Sequence, residues 1–147
     1  MNLISGGQTG VDRAALDFCL ENNIPCGGWC PKGRLAEDGI IPDKYPLLET
    51  GSENYDVRTR LNIENSDGTL IIYKSELDKG TRFTLKTIQE KGKPYFLINL
   101  SLRIDPVIVK NWVIANDLKT INIAGPRESN SPGIYETSKA FLSQMFK

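Results

Sequence analysis

The chain has 147 residues and sets 18 Lys and Arg against 18 Asp and Glu, with no histidine. That length suits a single domain over residues 1–147, which buries about two-thirds of its surface without metal or disulfide staples. Zero net charge argues against a dedicated nucleic-acid or membrane-surface binder. The missing histidine excludes Ser-His-Asp and Cys-His catalysis and His-ligated zinc.

The first element is a short apolar strand, Asn2–Ser5. Val11, Ala14, Ala15, Phe18 and Cys19 then fall on one face of a helix that Asn22 and Asn23 stop. Cys26–Trp29 is a weak strand, and Glu53–Asn65 a more polar helix. Thr69–Tyr73 and Tyr95–Leu100 are continuous apolar runs, which suit strands covered on both faces of a parallel sheet. Between them a helix over Thr81–Lys91 ends at Gly92, with Pro94 beyond. Asp105 and Pro106 open another helix as N-cap and first-turn residue. Thr120–Ala124 is the last strand. Ile134, Ser138, Phe141, Leu142 and Met145 stripe the last helix, with Ser131 as its expected cap.

Strand and helix alternate, so the predicted fold is α/β: a Rossmann-like, doubly wound open parallel sheet in three α/β/α layers. Lys32–Thr50 breaks the rhythm. A loop of that length in a compact domain serves function or a subunit contact, and Tyr45 and Tyr55 are expected as exposed aromatics. Cys19, Cys26 and Cys30 show no disulfide framework, and Cys19 is assigned to the helix core. The amino terminus lacks a signal-peptide pattern, and no apolar run approaches the ~20 residues that span a bilayer. The expectation is a cytoplasmic protein with no membrane partner.

Ligands in such folds gather at the carboxyl ends of the strands. After the first strand come Gly6, Gly7, Gln8, Thr9, Gly10 and Asp12. Glycines at a strand-to-helix turn let backbone N–H groups approach an anion, and the helix end adds partial positive charge. Thr9 is the expected cap of that helix, with Asp12 three residues on. The run matches neither G-x-G-x-x-G nor the P-loop pattern. Gly80 and Thr81 offer a second backbone cradle, read alternatively as a plain Thr-capped helix start. After the last strand, Gly125 and Arg127 could present a guanidinium to an oxyanion beside Glu128, or Arg127 and Glu128 could form an exposed ion pair. Trp29, Lys32 and Arg34 supply a ring and two cations to a bound anion. Cys26 and Cys30 read better as thiols than as metal ligands.

Four stretches in order resemble the molybdenum cofactor carrier family, relatives of the LOG-like (SLOG) Rossmann group. They are Ile4–Asp17, Gly27–Arg34 continuing to Pro42, Asp67–Ile71 and Ala124–Ser129. The resemblance covers nearly the whole chain. It implies an anionic ligand over the first glycine loop, carriage of the molybdenum cofactor (molybdopterin) or molybdate, and a homo-oligomer, dimer or tetramer. LOG-type phosphoribohydrolases carry Gly-Gly-x-Gly-Thr-x-x-Glu, whose Glu assists cleavage. Here the stretch reads Asp78-Lys79-Gly80-Thr81-Arg82-Phe83-Thr84, and Thr84 has no carboxylate to offer.

The expected function is therefore a non-catalytic holder of a small phosphorylated or oxyanionic ligand: a phosphorylated pterin, a nucleotide-like molecule or a simple oxyanion. The alternatives are a nucleotide or nucleotide-sugar hydrolase, with Asp12, Asp38 or Glu128 replacing the missing carboxylate, and a nucleotide-sensing or DNA-processing module. Zero net charge weighs against nucleic acid.

Overall fold

Apolar runs and helical stripes alternate, and in the computed structural model, which describes residues 1–147, they become nine strands and five helices. In chain order these are β1 (Asn2–Ile4), α1 (Val11–Asn22), β2 (Cys26–Gly27), β3 (Trp29–Cys30), β4 (Leu35–Ala36), β5 (Gly39–Ile40) and β6 (Leu48–Glu49). Then come α2 (Tyr55–Glu64), β7 (Gly68–Tyr73), α3 (Lys79–Lys91), β8 (Tyr95–Asn99), α4 (Pro106–Ala115), β9 (Thr120–Ala124) and α5 (Ile134–Met145). A 3-10 turn, Glu128–Asn130, precedes α5.

Five strands form one wholly parallel sheet in the order β2-β1-β9-β7-β8. The last strand stands at its centre, with Leu3 beside Ile121 and Leu70 beside Ile123. Alternation along β7 sends Leu70 and Ile72 into the larger core with α1, α4 and α5. It sends Ile71 to the opposite face, against Ile63 of α2 and Ile88 of α3. This is the expected doubly wound arrangement, with both faces of the sheet covered. Cys19 lies in the larger core, as expected.

Local details depart from expectation. The weak strand over Cys26–Trp29 is two strands: β2 joins the main sheet, and after Gly28 β3 pairs with β6. The helix caps differ as well. Gly10, not Thr9, precedes α1 and makes no side-chain cap. Asp78, not Thr81, caps α3 and accepts from Thr81 N at 2.8 Å. Ser131 does not cap α5; the Glu128 carboxylate does, accepting from Gly133 N at 2.7 Å and Tyr135 N at 3.0 Å. Asp105 caps α4 as expected, accepting from Val107 N. At α3 and α5 a carboxylate a few residues away reaches the free N–H groups in place of the predicted hydroxyl, and at α1 Gly10 holds the cap position with no side-chain bond.

The irregular stretch between β2 and α2 is held by Arg34. Its guanidinium donates to the carbonyls of Ile41, Pro42, Tyr45 and Leu47 at 2.8–3.2 Å. Ile41, Tyr45 and Leu47 then pack with Leu16 and Cys30 in a small second core. Tyr45 is thus buried rather than exposed, and its hydroxyl donates to Asp17 at 2.6 Å.

Candidate functional site

The carboxyl ends of β1 and β9 and the first turns of α2 and α3 enclose a cleft of about 420 Å³. Six residues that the sequence singled out line it: Gln8, Asp12, Gly80, Thr81, Gly125 and Arg127. Tyr55, Arg58, Asp78 and Phe83 line it too.

Gln8 is held in one orientation. Its Oε1 accepts from Thr9 N at 3.0 Å and from Glu37 N at 2.9 Å. Two N–H donors on one oxygen identify the amide's other end as nitrogen. That Nε2 is buried and unpartnered. Thr81 Oγ1 and Arg58 Nε are likewise buried without a partner. Gln8 is 6% exposed and Thr81 2% exposed, so neither can turn to bulk water. A buried polar atom left unpaired costs on the order of 1–3 kcal/mol. All three belong to residues that line the one cleft.

Arg58 reaches the cleft from α2, whose polar sequence folds because Asn54 caps it through Asp56 N at 2.9 Å. The Arg58 Nη1 stands 3.5 Å from Asp12 Oδ2. Asp12 also accepts from Gln8 N at 3.3 Å. Burial pushes the Asp12 carboxyl above its ordinary value of 3.8, more than Arg58 and the N–H of Gln8 pull it down. Tyr55 has two cations near its ring, with Arg58 5.5 Å and Arg127 5.7 Å from its centre. Two cation–π contacts thus bring guanidinium groups to one aromatic ring on the cleft wall.

The glycine loop differs from the open amide cradle expected of it. Gln8 N is turned to Asp12 and Thr9 N to the Gln8 side chain. The side chains of Ile41 and Leu47 cover Gly7. Gly10 is glycine because the Pro126 carbonyl and the Glu128 N–H pass where its Cβ would stand. That approach draws the last loop onto α1, with Val11 N donating to Pro126 O at 3.3 Å. Gly6 lies beneath the cleft, lining a narrow cavity with Arg58 and Asn122.

Five predicted residues lie elsewhere. The guanidinium of Arg34 is consumed by loop carbonyls. Trp29 is fixed by its backbone to the Asn62 amide at 2.8 and 3.0 Å, outside the cleft. Lys32 is exposed and its backbone N–H donates to Ser52 O. Glu128 spends its carboxylate on α5, and the ion pair read with Arg127 does not form; Arg127 approaches Glu37 instead, at 4.0 Å. Thr9 bonds Glu37 through its hydroxyl and accepts from Glu128 N at 3.1 Å. Glu37 also accepts from Ser129, so the β4–β5 hairpin fastens the first loop to the last. Burial alone would raise the Glu37 carboxyl; the hydrogen bonds from Ser129 and Thr9 outweigh it and hold the group below its usual range.

Sequence reasoning missed Arg58 and misread Tyr55 as a surface aromatic. Both follow β6, which lies outside the main sheet and so away from the strand ends where ligands of such folds gather. A polar helix with an arginine one turn inside its cap was the signal available.

A model of the circularly permutated YpsA SLOG family matches residues 3–146. The chain belongs to that family. A crystal structure from Syntrophus aciditrophicus SB, described as "Putative molybdenum carrier protein", superposes with a TM-score of 0.94 at 41% sequence identity. The match covers 99% of this chain and 94% of that one. No curated protein matches the chain. In this SLOG-family member no helix is long and apolar enough to cross a membrane.

Proposed function

We propose that this SLOG-family chain is a non-catalytic carrier that holds a phosphorylated pterin, a nucleotide-like ligand or an oxyanion such as molybdate in the cleft between α2 and α3. The observation that carries this reading is the trio of unpartnered buried groups, Gln8 Nε2, Arg58 Nε and Thr81 Oγ1, on three residues that line one cleft. Two N–H donors and a hydroxyl suit the oxygens of a phosphate or molybdate. Arg58 and Arg127, both beside Tyr55 on the cleft wall, add positive charge suited to an anionic ligand. The name of the Syntrophus protein points to molybdenum as cargo. No group of three Cys, Asp or Glu converges in the chain, so such cargo would be gripped through its oxygens rather than as a bare cation.

Thermal shift with molybdenum cofactor, molybdate, AMP and ADP-ribose tests the proposal. A ligand at 100 times its dissociation constant adds about 2.7 kcal/mol of stability. One or more of the four raises the melting temperature, and Arg58→Ala abolishes the shift. Four unchanged melting temperatures would sink the reading.

A second reading, hydrolysis of a nucleotide or nucleotide sugar, draws on Asp12. A carboxyl whose burial favours the protonated form, on the cleft wall, is the kind of group that serves as general acid. Release of base from AMP or cleavage of ADP-ribose, lost in Asp12→Asn, would establish it in place of the carrier.

A further inference from the structure

Asp12 and Arg58 face each other in the cleft wall as a pair that is only loosely made. Asp12 is 3% exposed, and both residues line the cleft. Arg58 Nη1 at 3.5 Å and Gln8 N at 3.3 Å approach the same carboxylate oxygen, Oδ2. Both contacts are longer than the ~2.7–2.9 Å of a well-formed charge-assisted hydrogen bond. The guanidinium is held no more tightly: its Nε has no partner, and it lies over the bare backbone of Gly6. A buried carboxylate so thinly partnered keeps its charge at a cost, and a second anion brought beside it raises that cost.

We infer that an anion entering the cleft replaces Asp12 as the counter-ion of Arg58 and that Asp12 takes up a proton in the exchange, so that ligand and proton bind together.

This coupling presupposes the carrier function proposed above and adds its regulation. A proton from solvent joins the Asp12 carboxylate, one negative charge leaves the cleft wall, and the ligand's charge takes its place beside Arg58. Once protonated, Asp12 changes from an acceptor into a donor, which suits an oxygen-rich ligand.

The surrounding charges direct the proton to Asp12. Burial pushes its carboxyl up more than Arg58 of α2 and Arg13 of α1 itself pull it down. Arg127 from the loop after β9, Asp56 of α2, and Asp78 and Lys79 at the start of α3 line the same cleft. Burial would raise Asp78 too, but its hydrogen bonds from Thr81 and Asn130 outweigh that and hold it below its usual range. Glu37, 4.0 Å from Arg127, is likewise held low. Asp78 and Glu37 therefore stay ionised in mild acid, where Asp12 gains its proton.

Titration calorimetry in two buffers of different ionisation enthalpy counts the protons. It is run on wild type and Asp12→Asn from about pH 5 to about pH 8, above the ordinary carboxylate values, with AMP, ADP-ribose and molybdate as probes. The proton that AMP's own phosphate binds near pH ~6 is common to both proteins and cancels in the difference. The two phosphates of ADP-ribose are diesters and carry no such proton. Wild type takes up as much as one proton per ligand beyond the probe's own, and its affinity falls by up to about tenfold per pH unit where uptake is complete. Asp12→Asn takes up none, loses that slope and binds more tightly than wild type at the alkaline end. Binding with the same proton count and slope in both proteins would overturn the coupling and leave the carrier intact. So would a folded Asp12→Asn that no longer binds, which would make the carboxylate itself a ligand contact. Failure of every probe to bind wild type would sink the carrier, and the coupling with it. If circular dichroism shows Asp12→Asn unfolded, the wild-type count with ADP-ribose decides: uptake sustains the coupling and zero overturns it.

Discussion

Arg58 lies across Gly6: the guanidinium occupies the space that any side chain at residue 6 would take. The first glycine of the loop is thus a seat for an arginine arriving from α2. It brings a cation beside the buried Asp12 carboxylate and leaves the arginine's Nε unpartnered.

Gly6→Ala forces that guanidinium aside. The atoms it meets are the far end of a flexible side chain, so the loss of stability stays within about 1 kcal/mol. Ligand affinity falls by about tenfold, the equivalent of roughly 1.4 kcal/mol. Calorimetric titration with whichever ligand shifts the melting temperature measures this. An unchanged affinity would remove Arg58 from the site.

Arg34→Ala separates a structural arginine from a ligand-binding one. It removes donors from four carbonyls of the 41–47 loop, at a cost of about 2–3 kcal/mol. Urea denaturation reads the loss. Ligand affinity of the folded fraction is retained; its disappearance with stability intact would return Arg34 to the binding machinery.

Asp12 gives a pH signature. Its folded carboxyl titrates above 3.8 because burial outweighs Arg58. The folded protein therefore holds the proton more tightly than the unfolded chain between 3.8 and the raised value. Stability from this group is full below 3.8 and declines as pH rises through the folded value. Asp12→Asn keeps an acceptor for Gln8 N and removes the charge. It is more stable than wild type at neutral pH, by an amount that shrinks as the pH approaches 3.8. Melting curves across that range check it. A variant less stable than wild type at neutral pH would mean that the Arg58 pair outweighs burial.

Glu128→Ala strips the acceptor from Gly133 N and Tyr135 N at the start of α5. The expected cost is about 1 kcal/mol, the usual value of a lost helix cap. It appears as a lower melting temperature with ligand affinity unchanged.

Much of the fold was legible because local pattern and tertiary role coincide. Leu70-Ile71-Ile72 reads as a strand covered on both faces, and it feeds two cores. The Val11–Cys19 stripe is the buried side of α1. The first and last loops were rightly placed at strand ends, and Gln8, Asp12, Gly125 and Arg127 meet in one cleft. The cap residues were less legible, because Ser, Thr, Asp and Glu compete for the same N–H groups. Which one wins depends on distances of a few ångströms.

By itself the sequence determined the alternation of strands and helices, the absence of histidine chemistry and the loops from which a site could be built. These follow from period, composition and chain order, which are local properties. Only the tertiary structure decided that β9 enters the centre of the sheet. Only it decided that Arg58 rather than Arg34 faces the cleft, and that the loop amides are spent on Asp12 and Gln8. An arginine looks the same in either setting until packing fixes whether it meets carbonyls or open space. The zero net charge of the whole chain therefore leaves room for a local concentration of guanidinium groups around one aromatic ring.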